Sequence, residues 1–136
     1  MARPKSVHHS KIIECGIYKI TIKIIVTDDF EKGWDREVPK KHAFKIIFAD
    51  DPDREKTVNA CAFVAFYGDT AMVLYDHSCL THGIVAHECF HLTTKLIGDT
   101  GHLVEQGEEP SAYLIEYLID EHYKAFKEFG IRVKST

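Results

Sequence analysis

Apolar and polar positions follow a period of two over the first half of the chain and a helical period over the second. Between residues 12 and 26 the β-branched side chains are interrupted at Lys19, Thr21 and Lys23, and the tract Tyr18-Lys-Ile-Thr-Ile-Lys-Ile alternates strictly. Alternation sends successive side chains to opposite faces, so this tract predicts a half-buried strand. Residues 28–41 carry many charges around Gly33, Trp34 and Pro39 without a period, and are expected as a loop. The run Ala43-Phe-Lys-Ile-Ile-Phe-Ala predicts a second strand, ended by Asp50-Asp-Pro-Asp. A third strand fits residues 60–67 and a fourth residues 71–75, with Gly68-Asp69 turning one into the other as a β-hairpin.

After Ser78 the spacing becomes helical. One helix is expected through residues 81–97 and is stopped by Gly98-Asp-Thr-Gly. A second is expected over about residues 110–129, with Pro110 tolerated in its first turn and Gly130 at its end. Strands first and helices second argue an α+β fold: a small, mostly antiparallel sheet of about four strands followed by two helices. Residues 1–11 read as a flexible N-terminal tail and residues 12–136 as a single domain. A chain of 136 residues with 45% hydrophobic content suits one core, and no internal repeat is visible.

The formal charge of −4 gives no nucleic-acid footprint and no polybasic membrane patch, so neither partner is expected. The apolar stretch 17–26 is broken by charged and polar residues and does not read as a membrane span. Cys15, Cys61, Cys79 and Cys89 form no C-x-x-C pair, and Met1–Lys11 is followed by no apolar export core. The cysteines are therefore expected to be reduced and the compartment cytoplasmic, with two disulfides as the alternative.

Nine histidines remain to be explained, and two of them stand in a pattern with chemistry. His87-Glu88-Cys89-Phe90-His91 is an H-E-x-x-H sequence inside the first expected helix. Residues four apart share a helix face, so both imidazoles can reach one metal ion. Glu88 falls about 100° round the helix from His87, beside the ion, where a carboxylate suits a general base acting on a metal-bound water. Val85, Cys89, Leu92 and Leu96 make an apolar stripe on the other side, giving the helix a core face and a metal face.

A catalytic zinc ordinarily takes three protein ligands and keeps one open position. His102, Glu105, Glu108, Glu109 and Glu116 are the downstream candidates. On the second helix Glu109, Ala112, Tyr113, Glu116 and Asp120 share a face opposite Leu114, Ile115, Leu118, Ile119, Phe126 and Phe129. Glu109 and Glu116 lie about 10 Å apart along the axis, so only one can bind a given ion. Glu109, 18 positions after His91, is favoured; Glu116 stays open, because Glu116 and Asp120 spell E-x-x-x-D, a ligand followed by a supporting acid.

Residues 81–126 resemble the zincin metallopeptidases of the gluzincin type, in particular small phage-type metallopeptidases. The resemblance rests on His82-Gly-Ile-Val-Ala-His-Glu-Cys-Phe-His and on Glu108-Glu-Pro-Ser-Ala-Tyr-Leu-Ile-Glu-Tyr-Leu. The ligand pattern is also similar to that of the ImmA/IrrE-type peptidases. The resemblance implies that Glu109 completes the site and that a strand within residues 60–75 lines the cleft and pairs with an extended peptide. Pro110 follows the implied ligand and no acid lies four positions beyond it, so Asp76, Asp120 or a carbonyl is left to orient a ligand histidine.

The expected protein is thus a zinc-dependent metallopeptidase with one Zn2+ per chain, His87, His91 and Glu109 as ligands and Glu88 as general base. Its partner is a peptide or protein substrate. The alternative is a non-catalytic metal-binding or regulatory module that retains a zincin-like site. His82 is expected to be structural, His102 an exposed loop residue, Cys89 a buried small hydrophobe, and Tyr113 a packing residue or hydrogen-bond donor on the metal side. Trp34 suits either a lid or a core anchor.

Overall fold

A computed structural model of the chain describes residues 6–48, 60–99 and 109–135, without the side chains of Ile17, Ile46, Asp99 and Glu109. The alternating region that begins the chain is two strands, β1 (His8–Cys15) and β2 (Ile20–Thr27). They pair antiparallel from His8 opposite Thr27 to Cys15 opposite Ile20. The reversal is a 3-10 turn over Gly16–Tyr18, closed by Lys19 in the left-handed region at φ 51°. The expected tail therefore ends sooner than Lys11, because His8–Lys11 are paired with the far end of β2.

Two more strands, β3 (Ala62–Tyr67) and β4 (Thr70–Asp76), form the expected hairpin. The sheet order is β1-β2-β4-β3, with β2 and β4 parallel and the other two pairings antiparallel. The class is α+β as expected, but the sheet is mixed. The parallel pair follows from what lies between β2 and β4. A crossover must return the chain to the same end of the sheet, and its described residues carry two helices.

Those helices correct two expectations. Residues 28–41 contain α1 (Phe30–Glu37) instead of a loop, and the run expected as a second strand contains α2 (Phe44–Phe48). Asp29 caps α1, its carboxylate accepting from the Lys32 amide at 3.1 Å. Phe30 and Trp34, four apart, then fall on one buried face, with the charges outside. In α2, Phe44 and Phe48 are likewise four apart, and both rings meet Trp34, at 6.2 and 5.5 Å, and Phe63, at 6.4 and 5.6 Å. Aromatic packing on the sheet overrides the β propensity of a short Phe/Ile run. Trp34 is the core anchor, fully buried with its indole N–H donating to the His42 carbonyl at 2.6 Å.

The last two helices, α3 (His82–Asp99) and α4 (Glu109–Phe129), cover the opposite face of the sheet. Strand parity sorts the two cores. Ile22, Ile24 and Val26 of β2 and Ala71, Val73 and Tyr75 of β4 face α3 and α4, while Ile25, Met72 and Leu74 face α1 and α2. A strand covered on both sides reads as a continuous apolar run, as Ala71-Met-Val-Leu-Tyr does. No helix among the described residues is long and apolar enough to cross a membrane.

Candidate metal centre

The motif helix is fixed at its start. Thr81 caps α3, its hydroxyl oxygen accepting from the Ile84 amide at 3.2 Å. The C-terminal stretch clips the same place, since the His82 amide donates to the Lys134 carbonyl at 2.9 Å and the Lys134 amide to Leu80 at 3.1 Å. Val85, Cys89, Leu92 and Leu96 are all buried, as the apolar stripe requires. His87 and His91 are exposed on the other face, with ring centroids 4.6 Å apart and Nε2 atoms 3.0 Å apart.

Glu88 sits between these faces and is only 6% exposed. Burial pushes its carboxyl above the usual carboxylate range, and His87 and His91 pull it partly back. Together the three line a cleft of about 560 Å³ between α3 and the edge strand β3, whose Ala62, Val64 and Phe66 form the opposite wall. A smaller hollow of about 290 Å³, lined by Cys61 and Gly83, shares Ala62, His87 and Glu88 with it.

Behind the motif lies a buried polar group. Cys89 Sγ is 3.6 Å from His122 Nδ1, which donates to the Leu118 carbonyl at 2.7 Å. Burial pushes the Cys89 thiol up to about 12, with Glu88's charge adding to it. His122 is pushed down to about 4 by burial, against the pull of its Leu118 hydrogen bond. Its Nε2 and the Tyr75 hydroxyl are buried without a hydrogen-bond partner among the described residues, and the two rings meet edge to face at 5.7 Å. Cys89 is thus the inert, buried thiol that the sequence suggests.

The third ligand is where sequence and structure part. The Glu109 side chain lies outside the described residues, as does all of His102, Glu105 and Glu108. Glu116 is exposed on α4, and among the described residues no group of three His, Cys, Asp or Glu converges to hold an ion. Asp76 does not orient a ligand histidine; its Oδ1 accepts from the Ser78 amide and hydroxyl at 2.9 and 2.7 Å. Tyr113 is 68% exposed and lines a separate hollow with Tyr18 and Tyr117, so the metal-side role expected for it is corrected. His82 holds Tyr123 through its Nδ1 at 2.5 Å with the rings stacked, which is structural.

Two features escaped the sequence. Cys61 and Cys79 are joined as a disulfide, with Cα atoms 5.8 Å apart, which corrects the expectation of reduced thiols for that pair; Cys15 and Cys89 are free. Their separation of 18 residues carried no local signal. Lys95 also lines the cleft. Its spacing of four from His91 puts it on the motif's face, and that was the clue available. No family model, curated protein or solved structure matches the chain.

Proposed function

We propose that the chain is a zinc-dependent metallopeptidase of zincin type, holding one Zn2+ through His87, His91 and one carboxylate of α4. The observation that carries this is the 3.0 Å between the two Nε2 atoms on an exposed face, with a nearly buried carboxyl next to them. Two imidazoles on one tetrahedral zinc have nitrogens about 3.3 Å apart, so the donor pair fits with a few tenths of an ångström of movement.

For the third ligand, α4 itself gives a ruler. Glu109, Glu116 and Tyr123 recur every seven residues and so share one stripe of the helix. Tyr123 on that stripe reaches His82 at the start of α3, and His122 beside it reaches Cys89. Taking the two helices as antiparallel, stepping back along α4 from these two contacts brings Glu116 level with α3 between the His87–His91 turn and Lys95. Glu109, two turns further back, lies level with the end of α3. Level alone puts Glu116 nearer the pair, but its side chain does not converge on the two histidines, and the Glu109 side chain lies outside the described residues, so both acids of α4 stay candidates for the third ligand.

Zinc bound there would supply a Lewis acid and an acidified water. The chain's own contribution is Glu88, whose carboxylate stands ready to take a proton in the cleft and return it to a leaving amine. The edge strand β3 offers an extended peptide a backbone to pair with. A peptide or protein is the substrate this suggests.

The second reading is a non-catalytic metal-binding module, favoured by the absence of a converging third ligand among the described residues. Glu88→Gln separates the two. The variant is expected to keep about one zinc per chain by elemental analysis and to lose peptide hydrolysis by about 100-fold or more. Full activity in that variant, or a wild-type protein that holds zinc and cleaves nothing, sinks the peptidase reading.

A further inference from the structure

The cleft has two unlike ends. At one, Cys61 is tied to Cys79 beside Gly83 and Ile84. At the other stand Phe66 and Lys95. The parity of β3 turns Val64 and Phe66 towards α3 while Phe63 and Ala65 enter the opposite core. Phe66 thereby presents its ring to the helix, and Lys95 Nζ lies 5.7 Å from the ring centroid. Contact with the electron-rich ring face favours a cation at this spot.

Lys95 is also one turn beyond His91, about 6 Å further along the axis. An extended peptide lying along β3 advances about 3.3 Å per residue. From the catalytic turn, the ammonium is thus reached two or three residues away from the scissile bond. Among the described residues lining the cleft, Lys95 is the one Lys or Arg, and the one acid, Glu88, belongs to the motif turn. An ammonium has three protons to donate, so it can accept a substrate carboxylate in addition to its neighbours within the chain.

We propose that this end of the cleft is a subsite for an acidic side chain, with Lys95 as the specificity-determining residue, so that the preferred substrates carry Asp or Glu two or three residues from the scissile bond. The inference rests on the peptidase reading for the words scissile bond, but the charge preference stands on binding alone and is tested that way.

The measurement is fluorescence anisotropy of labelled alanine-based hexapeptides with a single Asp, Asn or Lys scanned through each position. The protein is the zinc-loaded full chain carrying Glu88→Gln, so that nothing is cleaved during titration. Peptides with a suitably placed Asp should bind about two- to fivefold tighter than their Asn counterparts. Adding Lys95→Glu should reverse the order, with Lys peptides now preferred, and adding Lys95→Met should flatten it. Zinc content and thermal melting confirm that each variant is folded. Equal affinity for Asp and Asn peptides, a preference that Lys95→Glu leaves in place, or no peptide binding at all overturns the proposal. Cleavage by the wild-type protein is scored separately. Asp-selective binding without cleavage removes the peptidase reading and leaves the acidic subsite standing; cleavage without Asp selectivity does the reverse.

Discussion

Glu88 occupies the shoulder of α3, nearly buried yet lining the cleft, which suits it to the proposed role of base. Its neighbours at His87 and His91 are exposed, and Cys89 is sealed. Which acid joins the histidines is settled by paired variants. Of Glu116→Gln and Glu109→Gln, the one that removes the ligand is expected to lower zinc affinity by about 100-fold or more while the other leaves it within a few-fold, read by competition with a zinc-sensitive dye. Loss from Glu109→Gln bears out the sequence-based preference; loss from neither removes the α4 carboxylate from the site. His122 makes a second residue-scale prediction. Its folded value of about 4 lies below the usual 6.5, so between those values the unfolded chain binds the extra proton and the folded chain does not. Stability should therefore be full above about pH 6.5 and fall as the pH drops towards 4, by up to about 3 kcal/mol. Chemical denaturation of wild type and His122→Leu across that window checks it, since the variant should lose this part of the pH dependence. At this scale the paired histidines and their carboxylate were legible because an i, i+4 pattern is local. Lys95 and Phe66 were not, because their meeting depends on β3 lying beside α3.

Among the elements, length decided legibility. The 18 residues of α3 and the 21 of α4 give several turns of apolar repetition, and both were visible. The 8 residues of α1 and 5 of α2 give two turns or fewer, too little to separate a helix from a charged loop or a short apolar strand. Their identity comes from Trp34, around which Phe44, Phe48 and Tyr67 are arranged. Trp34→Ala should cost about 3–5 kcal/mol by urea titration and loosen α1 and α2 together. The Cys61–Cys79 bond ties the start of β3 to the turn before α3, so it braces both walls of the cleft. Reducing it, or replacing both cysteines with serine, should cost about 3 kcal/mol for a loop of this length. A melting temperature unchanged by a dithiol reductant refutes the bracing role.

For the whole molecule, one sheet separates two cores that serve different ends. The α1/α2 side is a dense aromatic cluster; the α3/α4 side carries the motif. The class was legible from the order of strands and helices. The mixed pairing was not, because a parallel contact between β2 and β4 leaves no mark in either strand's own alternation. The parallel register also joins Thr21 to Thr70, positions 49 residues apart, whereas β1 and β2 meet across a turn of four. Closing the longer loop costs about 2 kcal/mol more in chain entropy than closing the short one. Along a nascent chain the β1–β2 hairpin can therefore form early, with β2's inner edge bare until β4 emerges, and α3 and α4 have no platform before then. The proposed metal centre would then be assembled last, so refolding should show strand formation before the protein gains the ability to take up zinc.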